Sequence, residues 1–413
     1  MAVFVNQSEH TNEVTPTKSN KVALIILGIL YFMMGFITCL NDTLVPLFKS
    51  GFDLSYAESS LVQFYFFLTY AIMSIPAGNI VERIGYKNGM VYGFILAAFG
   101  AFLFLPASLI HQYSLFLAAL FILAIGIVLL QVSANPYITL LGSSETASSR
   151  LTLIQGIGSV GTTVAPLFGA SFILNEVSNT NSNSESLAPV YLGIAVLLFL
   201  LGGMIYLIKM PKFSTQSNEG NLSSNAGILG FRNLKFGIIA IFMYVGAEVT
   251  IGTFLTNFIS STIQISESEA NFYVSFYWGG MLLGRFIGSI FLNIFKASNV
   301  LFVTTVVAIL LIFISIFTDG SISIWSLIAV GLCNSVMFAI IFSLSVKGLG
   351  NATTRASGLL SSAIVGGAII PYVVGLLIDH VSWNWSFLLI ILCYSYLLFY
   401  SLNGYKNSTK FSN

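Results

Sequence analysis

Charge is scarce in this 413-residue chain: 8% of its residues are Asp, Glu, Lys or Arg, against 56% that are hydrophobic. A soluble globular domain carries about 25% charged residues because water must wet its surface, so a chain this poor in charge has lipid as its main solvent. The net charge of +1 lacks the basic excess of a nucleic-acid-binding protein, and the apolar content excludes a disordered scaffold. Cysteine is scarce too. Cys39, Cys333 and Cys393 all sit inside apolar runs without metal-ligand spacing, which points to packing rather than to a disulfide framework or a zinc site. No Gly-Lys dipeptide occurs, so there is no phosphate-binding loop. The three histidines, His10, His111 and His380, fall in a tail or in loops, and neither HExxH nor GxSxG is present. These absences argue against an enzyme and against ATP as a direct energy source, and no cofactor or metal is expected.

What the chain has is repeated apolar runs of about 20 residues, the length that spans a bilayer. Twelve are legible, near 22–48, 60–80, 89–108, 114–140, 151–174, 188–209, 236–260, 271–294, 299–318, 322–346, 356–379 and 382–402. The first twenty residues are polar and contain Glu9 and Glu13, which argues against a cleaved signal peptide. Lys and Arg beside spans are retained in the cytoplasm. Of the 16 here, Lys49 stands alone on one side, Arg285 lies inside a span, and the rest, from Lys18 to Lys410, fall in the opposite set of loops. That asymmetry places both termini in the cytoplasm. The expected organisation is a cytoplasmic tail (1–21), a six-helix half (22–209), a Ser/Asn/Gly-rich cytoplasmic linker (210–235), a second six-helix half (236–403) and a short cytoplasmic tail (404–413). The similar segment 175–187 reads as a disordered outer loop.

The halves repeat. An offset of 205 places Arg150 on Arg355, Gly161 on Gly366 and Pro166 on Pro371, and an offset of 206 places Gly78 on Gly284 and Asp42 on Glu248. Parallel repeats of this kind mark transporter architecture. Gly280, Gly284 and Gly288 on span eight, and Gly89 and Gly93 on span three, recur every four residues and allow helix backbones to approach closely.

Ionisable groups at membrane depth are costly, so each is a site hypothesis. Glu248 lies roughly 18 Å into span seven at 1.5 Å per residue, near the midplane. It suits binding or proton carriage; the alternative is a carboxyl that fixes helix packing. Asp42 follows Asn41 in span one and either faces the interior or caps a helix end. Arg285, in span eight, snorkels to the surface, pairs helices or serves a site. Gln131, Ser133 and Asn135 precede Pro136 on span four, and Gln155 lies on span five. Amides donate and accept together and so match a sugar's hydroxyls, although they equally join helices. Tyr277 and Trp278 offer flat faces to a pyranose ring or pack against lipid.

The segment Gly78-Asn-Ile-Val-Glu82-Arg83-Ile-Gly85-Tyr-Lys87 resembles the loop signature of the major facilitator superfamily, with Glu for the usual Asp. A partial echo, Gly284-Arg285-Phe-Ile-Gly288, occupies the matching place in the second half. The chain further resembles the fucose permease and glucose/galactose transporter branch. The segments that carry this are Leu40-Asn41-Asp42-Thr-Leu-Val-Pro46, Leu130-Gln131-Val-Ser-Ala-Asn135-Pro136-Tyr137, Tyr244-Val-Gly-Ala-Glu248-Val and Ile341-Phe-Ser-Leu-Ser-Val-Lys347-Gly-Leu-Gly350. The resemblance implies an all-α membrane protein of twelve transmembrane helices in two pseudo-symmetric bundles. It also implies a monomer in a bacterial inner membrane that takes up a hexose with a proton by alternating access. The family's membrane Asp matches Asp42. Its acidic residue on span four is here Gln131, which cannot ionise and is expected of the glucose/galactose type; Gly158 stands where an Asn is common. The expected sugar contacts are Asn41, Asp42, Gln131, Asn135, Gln155 and Trp278. Asp42 and Glu248 are the coupling candidates, and Gly78, Glu82, Arg83, Gly85, Lys87 and Arg285 form the gating motif. Glucose, galactose, fucose and N-acetylglucosamine are the candidate cargoes. Sodium coupling, an uncoupled carrier, a proton-linked exporter of amphipathic compounds and a non-transporting sugar sensor are the rival readings.

Overall fold

Lipid offers no hydrogen bonds to the main chain, so a long apolar run satisfies its own backbone only as a helix or within a closed barrel. The computed structural model, which describes residues 18–51, 61–169, 187–213, 225–380 and 383–406, is helical nearly throughout and has no strand among those residues. The first six spans are α1 (Lys18–Gly51), α2 (Leu61–Ile84), α3 (Tyr86–Phe102) continued by α4 (Phe104–Ile110), α5 (Tyr113–Leu140), α6 (Ala147–Gly169) and α7 (Leu187–Leu207). A short turn, α8 (Asn225–Ile228), precedes the second six. These are α9 (Arg232–Ile263), α10 (Glu267–Ile294), α11 (Ala297–Phe317), α12 (Gly320–Asn334) continued by α13 (Met337–Val346), α14 (Thr353–Ser362) continued by α15 (Gly366–His380), and α16 (Trp383–Phe399).

Each apolar run read from the sequence falls, over its described residues, in one of these spans. The helices overrun the expected ends: α1 begins at Lys18 rather than 22, and α9 at Arg232 rather than 236. Hydropathy marks the hydrocarbon segment, whereas helical hydrogen bonding continues through the interface. The tail 1–17, residues 175–186 of the expected outer loop, the linker centre 214–224 and residues 407–413 lie outside the described residues. Ten described helical stretches are long and apolar enough to cross a membrane. The other two spans, α6 and α10, carry Gln155, Ser159, Thr162 and Arg285, which line a polar cavity on one face of each helix. A capping box sets the start of α10. Ser266 Oγ accepts from the Glu269 amide at 3.3 Å, and the Glu269 carboxylate accepts from the Ser266 amide at 3.2 Å.

In the first half α1 packs on α6, and α5 packs on α2 and α3; in the second, α9 packs on α13 and α15, and α11 on α12 and α16. The repeat is visible in this packing. Gly161 of α6 meets the backbone of Phe32 and Phe36 in α1, and Gly366 of α15 meets the backbone of Phe242 in α9. Gly366 is the partner of Gly161 at the offset of 205, and Phe242 that of Phe36 at the offset of 206. Gly284 and Gly288 press on Ser335 and Val336 at the α12–α13 junction, and Gly89 and Gly93 on Ser133 and Leu130 of α5. The halves meet where α2 packs on α14 and where α6 packs on α10 and α13.

Candidate binding site

Between the halves lies a cavity of about 280 Å³. Helical spacing brings its residues onto common faces. Gln155, Ser159 and Thr162 stand at i, i+4 and i+7 on α6, Tyr31, Gly35 and Thr38 do so on α1, and Tyr244 and Glu248 are four apart on α9. Tyr70 of α2, Gln131 of α5 and Arg285 of α10 complete the polar lining, and Phe66, Phe338 and Ile364 supply apolar wall.

The polar groups are oriented. Tyr70 donates its hydroxyl to Gln131 Oε1 at 2.6 Å, which fixes the orientation of this cavity-lining amide. Arg285 donates from Nη1 to Ser159 Oγ across the halves. Two buried atoms at the cavity have no partner: Gln155 Oε1, an acceptor, and Arg285 Nε, a donor. Glu248 of α9 and Arg285 of α10 bring groups of opposite formal charge to the same cavity. They are the acid and the base among the described lining residues, so with both ionised the site carries no net charge.

The sequence-derived candidates divide. Gln131, Gln155 and Glu248 line the cavity together. Arg285, grouped by its motif with the gating loop, instead stands in the cavity wall. Asn135 is fully buried behind the wall, where its Oδ1 accepts from the Tyr31 hydroxyl. Ser133 is spent on the Leu129 carbonyl at 2.7 Å. Trp278 is not among the lining residues: its ring packs over Gly252 and edge-on to Tyr277 at 5.1 Å, and it remains half exposed. Asn41 and Asp42 fall within α1, and their side chains lie outside the described residues. Gly158 has a packing reason. A Cβ there would sit 3.1 Å from the Tyr31 carbonyl, at the crossing where α1 and α6 touch backbone to backbone. Sequence reasoning missed Tyr31, Tyr70, Ser159 and Thr162, although the helical spacing from Gln155 pointed to the last two.

At the cation-bearing end the halves are sealed. Arg355 Nε donates to Glu82 Oε2 at 2.5 Å in a largely buried ion pair, and Thr354 donates to the Tyr86 hydroxyl at 2.8 Å. Ser149 donates to the Ser289 carbonyl at 2.7 Å, Ser148 and Ser343 share a bond of 2.5 Å, and Ser357 donates to the Val132 carbonyl at 3.1 Å. Of the expected gating motif, Gly78 lets α2 touch α14, where a Cβ would sit 3.3 Å from Gly358 Cα. Gly85 takes a φ of 82° that favours glycine. Lys87 donates to the Tyr206 carbonyl at 2.8 Å, and Arg83 is exposed at the end of α2. The repeat breaks here. Glu82 serves Arg355, whereas Arg150, the counterpart of Arg355, donates to the carbonyls of Thr139 and Ser143 at 2.9 Å within its own half.

The family model of the Major Facilitator Superfamily matches residues 27–363. The chain belongs to the major facilitator superfamily. Within it, this member is 47% identical over 412 residues to the glucose/galactose transporter of Brucella abortus (strain 2308), covering 98% of this chain and 99% of that one. It is 31% identical over 391 residues to the L-fucose-proton symporter of Escherichia coli (strain K12), covering 88% of each. The crystal structure of the superfamily transporter FucP in the outward conformation superposes with a TM-score of 0.85 at 29% identity, covering 93% of this chain and 99% of FucP. These relatives are transporters rather than enzymes, and the twelve-helix, two-bundle reading is the superfamily's fold. Bacterial relatives of this kind place the protein as a multi-pass integral membrane protein.

Proposed function

We propose that this superfamily member is a secondary transporter that carries a neutral hexose into the cell by alternating access, coupled to a proton. The observation that carries the reading is the polar lining of the cavity, where Gln131, Gln155, Thr162, Glu248 and Arg285 converge from both halves. Amides, a hydroxyl and a guanidinium together offer donors and acceptors, and a cargo hydroxyl is both. A neutral polyhydroxyl cargo pairs with such groups without adding charge to the site. The Gln131 amide, held by Tyr70, adds a further donor. A cavity of about 280 Å³ lies just below the roughly 300–1,000 Å³ typical of drug-sized ligands, and suits one monosaccharide. The names of the relatives, glucose/galactose transporter and L-fucose-proton symporter, agree with this cargo class and favour glucose or galactose.

Coupling falls to Asp42 and Glu248. Protonation of a membrane carboxylate changes the charge of the site, and a ligand or proton that binds one state better shifts the population toward it. The sealed end, rich in Lys and Arg, faces the cytoplasm in this reading, with both termini on that side of the inner membrane. Counterflow in proteoliposomes preloaded with a sugar tests the proposal: entry of the same labelled sugar without an ion gradient supports it. Absence of entry for every hexose, in folded protein, contradicts it.

A further inference from the structure

Behind the cavity, the tenth span is interrupted between α12 and α13, and Asn334 closes α12 at the interruption. Asn334 is fully buried, and its polar groups are spent on three tyrosines from three other helices. Its carbonyl accepts from the Tyr244 hydroxyl of α9 at 2.9 Å, and its Oδ1 accepts from the Tyr394 hydroxyl of α16 at 2.6 Å. Its Nδ2 donates to the Tyr277 hydroxyl of α10 at 3.0 Å, and that hydroxyl donates onward to the Glu248 carbonyl at 3.2 Å. Tyr244 and Glu248 both line the cavity, and Asn334 does not.

We infer that Asn334 is a positioning residue for the second half's side of the binding site. Through the Tyr244 hydroxyl directly, and through Tyr277 to the turn of α9 that carries Glu248, it sets where these two groups stand relative to cargo. The chemistry favours an amide at this point. One side chain must accept from Tyr394 and donate to Tyr277 at once, which an amide does and a hydrocarbon cannot. A broken helix at membrane depth is tolerated where protein satisfies the freed polar groups. Here the groups that satisfy it belong to the helices carrying the site. Of the two bonds the side chain makes, the one to Tyr277 leads on to α9 at Glu248, while the main-chain carbonyl at the same break holds Tyr244.

The inference rests on the sugar-carrier reading, and its test separates the two. Tyr277→Phe keeps the ring in place and removes the link from Asn334 to the Glu248 carbonyl; Asn334→Leu keeps the volume and removes the amide. In counterflow with glucose or galactose, whichever the parent exchanges, each variant is expected to raise KM about tenfold while the maximal exchange rate stays within about twofold. The double variant is expected to be no worse than the Asn334→Leu single, because both act through one chain of bonds. An unchanged KM in Tyr277→Phe overturns the inference, as does a fall in folded yield and exchange rate without a change in KM. If the parent exchanges no sugar, the sugar-carrier reading fails, and backbone hydrogen exchange decides the positioning role. Faster exchange in Tyr277→Phe confined to α9 around residues 244–248 supports it. Unchanged exchange, or an increase spread over the whole second half, overturns it.

Discussion

The guanidinium of Arg285 in α10 donates to Ser159 Oγ in α6, so a residue of the second half grips the first half at the wall of the cavity. The same side chain lines the cavity with Glu248, and its Nε is buried without a partner. On the proposed reading, contact with cargo and contact between the halves meet in one residue.

Substitutions at this contact should separate charge from geometry. Arg285→Lys keeps the charge that balances Glu248 but loses the planar fork and its fixed Nε donor. Counterflow KM is expected to rise at least about tenfold. Ser159→Ala removes one hydrogen bond only and is expected to cost about threefold to tenfold. Arg285→Gln removes the positive charge from the cavity along with the fork, and is expected to raise counterflow KM at least as much as Arg285→Lys does.

Gln155→Leu removes the unpartnered acceptor at similar volume. A site built to hydrogen-bond a hydroxyl loses affinity when that bond is lost, so sugar affinity in counterflow is expected to fall about tenfold or more. Deoxy sugars should restore the match at one position. The deoxy analogue whose affinity is the same for parent and variant identifies the hydroxyl that Gln155 receives.

Coupling is expected to follow Asp42. Asp42→Asn should abolish concentrative uptake in response to a proton gradient and leave counterflow intact, because exchange needs binding and alternation but no net proton movement. Equal accumulation by variant and parent would remove Asp42 from the coupling step. Glu248→Gln, tested in the same two assays, is expected to weaken both, since this residue also lines the cavity and balances Arg285.

The ion pair between Arg355 and Glu82 joins the halves at the sealed end and is largely buried. Removing one partner of such a pair is costly, and the state that keeps the pair bears the cost. Arg355→Ala is therefore expected to shift the protein toward the state open at that end. The measure is maleimide labelling of a cysteine placed at Ser148, with Cys39, Cys333 and Cys393 replaced by serine. The expected rate is about fivefold faster in Arg355→Ala, which corresponds to a shift of about 1 kcal/mol.

Much of the architecture was legible because lipid leaves so few alternatives. Apolar runs of spanning length located every membrane span, and the offset that aligns Gly161 with Gly366 reappears as a similar helix crossing in each half. The site was legible where one residue announces its own cost, as Glu248 and Gln155 do. It was illegible where the role depends on which face a helix turns. Arg285 looked like part of a loop motif, and Trp278 looked like a platform, because nothing in the local sequence says that the first faces the cavity and the second does not. Asn334 gave no sequence signal at all. Its partners, Tyr244, Tyr277 and Tyr394, come from three other helices, and only their convergence gives it meaning.

The central claim is that the cavity between the halves carries a neutral monosaccharide, and counterflow tests it without involving the coupling carboxylates. Proteoliposomes preloaded with glucose, galactose, mannose, fucose or N-acetylglucosamine are diluted into the same labelled sugar with no ion gradient. The account predicts transient accumulation of label with glucose or galactose, and its loss in Gln155→Leu. Entry of none of the five sugars into vesicles holding folded protein would contradict it.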